Sequence, residues 1–170
     1  GGGLAITPGG DAFVLNTVFD DNTSNNPGGA VSNRGNLTVA GSTFSNNSAS
    51  TGSRAALLLD GASFIESSLF TQNAATAIEI SQPTSIRTSR FTASGTGAAL
   101  NLTNSTELIL DSTTIDANPN GGLIINSGTA NVTNSTFSGN AGFGGINVGS
   151  LGELNITNST IAFNQSAAIF

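Results

Sequence analysis

Few residues in this chain have the chemistry to act on another molecule. The strongest set is Glu66, Arg87 and Asp111, spaced 21 and 24 residues apart. Two carboxylates flanking a sugar, one as acid and one as base, with a guanidinium orienting the ligand, make a plausible glycan-cleaving arrangement. Arg90, three residues from Arg87, is the first residue to add to it. A second candidate is Asp116-Ala117-Asn118-Pro119-Asn120-Gly121, which matches the opening of a calcium loop. The bidentate Glu that such a loop needs is replaced by Ser127. Other chemistries are excluded by composition. The sequence has no His and no Cys, so thiolate metal sites, disulfides and imidazole bases are all missing. No cofactor is expected. For Glu66, Arg87 and Asp111 to meet, the elements carrying them must repeat every 21 to 26 residues and lie side by side.

That repeat is present. Phe19, Phe44, Phe70, Phe91, Ile115, Phe137 and Ile161 recur at spacings of 25, 26, 21, 24, 22 and 24. Five residues before each anchor stands an aliphatic residue: Val14, Val39, Ile65, Ile86, Leu110, Val132 and Ile156. Two before it stands a hydroxyl: Thr17, Ser42, Ser68, Ser89, Thr113, Ser135 and Ser159. Three after it come Asn22, Asn47, Asn73, Ser94, Asn118, Asn140 and Asn164. Upstream, Leu4, Ala30, Leu57, Ile78, Leu100, Leu123, Ile146 and Ile169 align in one column, with Ile6, Ser32, Leu59, Ile80, Leu102, Ile125 and Val148 two residues on. The period of two between these columns is that of strands with one buried face.

Each repeat thus holds three short strands, separated by turn signals such as Asn126-Ser127-Gly128 and Asn118-Pro119-Asn120-Gly121. One unit cannot bury its own apolar face, whereas stacked units form a continuous core. The expected fold is therefore all-β, a single domain over 1–170: a right-handed parallel β-helix, or β-solenoid, of about seven coils of 21–26 residues. The Asn column (Asn22, Asn47, Asn73, Asn118, Asn140, Asn164) is expected to form a hydrogen-bonded ladder at one corner. In the column four before the anchor, Glu66, Arg87 and Asp111 fall on successive coils. There they make either a surface charge ladder or the catalytic face described above.

The segments FDDN (19–22), FSNN (44–47), FTQN (70–73) and FSGN (137–140), with GGAV (28–31), GGLI (121–124) and GGIN (144–147), resemble the FxxN and GGA(I/L/V) repeats of polymorphic outer membrane proteins and autotransporter passengers. That resemblance implies a secreted or cell-surface stalk or adhesin. A formal charge of −6 with only four basic residues is incompatible with the clustered cations that nucleic acid or an anionic membrane requires. No apolar run reaches the length of a membrane span, and no charged-then-apolar leader opens the chain, so a mature form or an excised fragment is expected. Asn-x-Ser/Thr triplets at Asn36, Asn101, Asn104, Asn131, Asn134, Asn155 and Asn158 are potential glycan acceptors.

The chain opens and closes in the same phase of its repeat, at Leu4 and Ile6 and again at Ile169 and Phe170. Head-to-tail pairing with another copy is the expectation, through Leu4, Ile6, Ile161, Asn164, Ile169 and Phe170. Phe13, Leu15 and Val18 are outward and apolar on the first coil, which points to lateral packing or a covering loop; contact with another subunit is the expectation, which adds them to the assembly interface. The partners expected are therefore the chain itself or a longer parent solenoid, with host or matrix glycans as further partners. The expected function is an extracellular structural solenoid, a filament subunit or adhesin stalk segment without enzymatic activity. The alternative is a carbohydrate-binding or carbohydrate-cleaving β-helix.

Overall fold

The computed structural model describes residues 2–50 and 55–166. All regular elements among the described residues are strands, most of two to five residues, and the strand pairings are parallel. In most strands alternate residues are buried, as in Asn36–Ala40 and Ile78–Ile80, and the coil geometry turns that side inward.

Three faces result. The first carries Leu4–Ile6, Val31–Asn33, Leu57–Leu59, Ile78–Ile80 and Leu100–Leu102, followed by the openings of Leu123–Thr133 and Ile146–Thr157. The second carries Asp11–Leu15, Asn36–Ala40, Ser63–Glu66, Thr84–Arg87 and Glu107–Asp111, then the closing halves of the same two long strands. The third is a seven-stranded sheet from Val18–Asp20 to Thr160–Ala162. From Leu4 through its successive partners to Ile146 there are six full turns, and most of a seventh follows. Ile169 and Phe170, expected to close that turn, lie outside the described residues. At about 4.8 Å per stacked strand, six turns advance roughly 29 Å.

Two expectations need correction. The first-face column contains Val31 and Asn33 instead of Ala30 and Ser32, because Leu4 pairs with Val31 and Ile6 with Asn33. A slip of one residue exchanges the two faces of a strand, so Val31 and Asn33 point inward where Ala30 and Ser32 were expected. The structure buries Asn33 completely and satisfies it: its Nδ2 donates to Gly61 O at 3.2 Å and Ser63 Oγ at 3.1 Å, while its Oδ1 accepts from Gly35 N at 3.0 Å. The second correction concerns Asn126-Ser127-Gly128. These residues do not end a strand; they lie within Leu123–Thr133, which continues through a register shift between Ile125 and Ser127. Ser127 and Gly128 pair with Leu151 and Gly152 on the next coil, so a ladder partner replaces the turn.

The core is a set of columns. Phe19, Phe44, Phe70 and Phe91 stack with centroids 4.6 to 4.9 Å apart and planes within 10° of parallel. Aliphatic columns beside them, such as Val39, Ile65, Ile86, Leu110 and Val132, are fully buried.

The corners flanking the third face follow a rule. Three residues before the anchor, Asn16, Gly41, Ser67, Thr88, Ser112, Asn134 and Asn158 all have positive φ, between 46° and 59°. Two residues after it, Asp21, Asn46, Gln72, Ala93, Ala117, Gly139 and Phe163 do likewise, between 52° and 64°. A left-handed residue at each end bends the chain sharply enough to fit a three-residue strand between two corners.

Candidate functional site

The coil geometry brings Glu66, Arg87 and Asp111 together as the spacing predicted: Glu66 is opposite Arg87, and Arg87 opposite Asp111. Their partners, however, suit structural bonding better than acid–base work. The Arg87 guanidinium lies 5.8 Å from the centre of the Phe64 ring. Asp111 accepts hydrogen bonds from Asn134 Nδ2 at 2.9 Å and Thr133 Oγ1 at 3.0 Å, both on the next coil. The Asn134 and Thr133 bonds, opposed in part by desolvation and assisted by Ser112 and the Arg87 charge, hold the Asp111 carboxyl below its ordinary value. A general acid needs the opposite shift.

Among the described residues the ion pair within 4 Å is formed by Arg90 and not by Arg87. Arg90 Nε and Nη2 grip Asp116 Oδ1 and Oδ2 at 2.9 and 2.7 Å. This bidentate bond raises the Arg90 pKa, first through the hydrogen bond and then through the charge. It also engages the residue that would open the calcium loop. Asn118, the second candidate ligand, sits in the ladder, and Asn120 Nδ2 donates to Gly95 O at 2.8 Å. The loop's donors thus hold neighbouring coils.

The corner Asn side chains form two runs of a ladder, Asn22 to Asn73 and Asn118 to Asn164, on either side of Ser94. Asn47, Asn73, Asn118 and Asn140 are fully buried, while Asn22 and Asn164 are half-buried. Asn22 N and Nδ2 donate to Asn47 Oδ1 at 3.1 and 3.0 Å; Asn47 does the same to Asn73, Asn118 to Asn140, and Asn140 to Asn164. The hydroxyl column makes a second ladder. The backbone N of Thr17, Ser42 and Ser68 donates to the hydroxyl one coil on, each at 3.1 Å, and the pattern resumes from Thr113 to Ser159. Each Ser and Thr hydroxyl in the column also donates to the carbonyl two residues before it, as Ser42 does to Ala40.

The residues assigned to an assembly interface fall into two groups. Leu4 and Ile161 are half-buried at the outer coils, and Ile6 is buried among the core residues. Phe13, Leu15 and Val18 are 75, 56 and 68% exposed on the first coil. Composition could not reveal a further feature, a shallow groove along the corner between the first and second faces. One part, about 360 Å³, is lined by Asn36, Thr38, Phe64, Ser85 and Glu107 among others. A second, about 810 Å³, continues from Pro83 and Glu107 to Glu153.

Comparison with protein families bears on all of these columns at once, because residues 30–170 match the model for the right handed beta helix region. The chain belongs to the right-handed β-helix family. This match gives the solenoid its hand. No curated protein and no solved structure matches the chain. Right-handed β-helices include both enzymes and structural proteins, so family membership leaves activity to be argued from the side chains.

Proposed function

We propose that this β-helix is a structural element of an extracellular or cell-surface assembly, without catalytic activity. It acts either as a subunit stacking head to tail with itself or as a segment of a longer adhesin stalk. One observation carries this reading: among the described residues at least seven of the ten carboxylates bond to a residue on an adjacent coil. Asp11 takes Asn36 Nδ2 at 2.7 Å, Asp20 takes Ser45 Oγ at 2.7 Å, Asp60 takes Ser81 Oγ at 2.6 Å, and Glu107 takes Asn131 Nδ2 at 2.7 Å. The groups that an enzyme would aim at substrate are used here as clasps between turns. The resemblance to outer membrane and passenger repeats supports a surface location.

Negative-stain imaging and sedimentation over a range of concentrations test the assembly. Head-to-tail stacking predicts rods several times the length of one chain, lengthening with concentration; a monomer throughout leaves only the stalk-segment form. Release of sugar from an acidic polysaccharide, lost in Glu66→Ala or Asp111→Ala, would overturn the structural reading in favour of a glycan-cleaving one.

A further inference from the structure

We propose that the outer side of the second face joins two copies of this chain side by side, as an antiparallel dimer closed by reciprocal Glu66–Arg87 ion pairs. The contact lies on the flank of the rod and does not depend on end-on stacking. Two columns point outward there. One runs Phe13, Thr38, Phe64, Ser85, Ile109, Asn131, and the other Leu15, Ala40, Glu66, Arg87, Asp111, Thr133, each residue opposite the next in the parallel ladder. The first column alternates large and small side chains as far as Ile109, so a hollow lies over Ser85 between Phe64 and Ile109. These three residues line the depression of about 360 Å³.

The second column carries the charge. Glu66 and Arg87 are ladder neighbours, yet among the described residues the ion pair within 4 Å belongs to Arg90 and Asp116. The Arg87 guanidinium instead leans over the Phe64 ring, 5.8 Å from its centre. A carboxylate and a guanidinium thus stand side by side with their ion-pairing capacity unused.

A second copy satisfies both columns in one register. A two-fold axis parallel to the strands, passing between Ser63–Glu66 and Thr84–Arg87, sets the rods antiparallel and keeps each column facing itself. Glu66 then meets the second copy's Arg87, and Arg87 meets its Glu66. Each Phe64 ring enters the hollow over the other copy's Ser85, and the two rings lie adjacent across the axis, where aromatic pairs are favourable. At the rim, Phe13 and Leu15, 75 and 56% exposed in the single chain, reach the second copy's Asn131 and Thr133. An axis through the Glu66 row would set Glu66 against Glu66, and one through the Arg87 row would set Arg87 against Arg87; like charges facing across an interface are costly. Moving the axis one coil towards Asp111 pairs Arg87 with a carboxylate already bonded to Asn134 and Thr133, and strands Glu66. Moving it one coil the other way leaves Glu66 against Ala40 and Arg87 against Leu15. Parallel rods set Phe64 against Glu66 and Ile109 against Asp111. Six rows of about five residues make a face of roughly 29 by 16 Å. About 450 Å² from each copy is at the low end for specific interfaces, so the dimer is weak and reversible.

Sedimentation velocity and cross-linking of the intact chain test the contact, with circular dichroism confirming the fold of each variant. The expected result is a concentration-dependent dimer that salt weakens. Glu66→Arg and Arg87→Glu should each weaken it about tenfold or more. An equimolar mixture of those two variant chains should recover it, because every facing pair is then of opposite sign. Phe64→Ala should weaken it by about tenfold. Thr38→Cys with Ile109→Cys, in a chain otherwise free of cysteine, reads the register, since these positions face each other across the axis. A bis-maleimide too short for the roughly 14 Å between them within one chain, three strand spacings, should join two chains and no more. A monomer up to millimolar concentration would overturn the proposal, as would single charge reversals that associate like the parent chain or a mixture no better than its components. Rods that lengthen with concentration and ignore both charge reversals would report end-on stacking alone and overturn the flank contact, and cross-linked species beyond two chains would do the same.

Discussion

At the residue scale, the molecule is governed by what each position in the coil demands of a side chain, and two positions meet that demand poorly. Ser94 occupies the Asn column. Its backbone N donates to Asn118 Oδ1 at 3.0 Å, but its own buried hydroxyl has no partner, so the amide rung between Asn73 and Asn118 is missing. Ser94→Asn should supply an Oδ1 to the coil below and an Nδ2 to the Phe70 carbonyl, as Asn73 Nδ2 does to Phe44 O at 3.0 Å. The expected gain is about 1 kcal/mol in denaturant unfolding; a loss would show that the corner cannot accommodate the amide. Thr88 is a β-branched residue at φ 46°, a corner where other coils use Asn16, Asn134 and Asn158. Thr88→Asn should raise the melting temperature, by the equivalent of about 0.5–1 kcal/mol, because Asn tolerates the left-handed region that Thr resists. An unchanged or lower melting temperature would count against strain at that corner.

At the element scale, columns hold the coils together, and carboxylates are part of several. Asp20 and Asp111 both titrate below the ordinary carboxylate value, Asp20 because Ser45 and Asn46 donate to it and Asp111 because Asn134 and Thr133 do. A folded-state pKa below the unfolded one gives stability that is complete above the unfolded value and disappears as pH falls through the folded one. Stability should therefore drop as pH falls below about 4, and Asp20→Asn with Asp111→Asn should flatten that acid limb in melts at a series of pH values. An acid limb identical to that of the parent chain would exclude these clasps as its source. Much of this scale was legible in the sequence. The anchors, the hydroxyl and Asn columns, and the adjacency of Glu66, Arg87 and Asp111 follow from spacing alone, because strand stacking converts a fixed offset into contact. What stayed hidden depends on conformation. The left-handed corners mix Asn, Asp, Gly, Ser, Thr, Gln, Ala and Phe, so residue type does not mark them. The one-residue register of Val31 and Asn33 is not marked by residue type, since Asn33 is buried only because Gly61 O and Ser63 Oγ accept from it.

At the scale of the whole molecule, a solenoid has no single centre, since each coil rests only on the coils above and below. Its stability should therefore vary along the axis. The middle coils carry the completely buried residues, including Phe44, Phe70, Phe91, Ile65 and Ile86. Towards the outer described coils the equivalent positions are only half-buried, as at Leu4, Phe19, Leu154, Ile156 and Ile161. Hydrogen exchange should be slowest in Leu69–Thr71 and Arg90–Thr92, and fastest in Leu4–Ile6 and Thr160–Ala162. Phe70→Ala removes a ring from the centre of the stack and should cost about 3–5 kcal/mol. Phe19→Ala, at the half-buried end of the same stack, should cost clearly less. The two variants should also differ in reach: the central cavity should speed exchange on both sides of it, whereas the outer one should leave the middle coils protected. Equal costs for the two substitutions, with uniform exchange along the axis, would mean that the coils unfold as one cooperative block and that stacking alone does not set the order of opening.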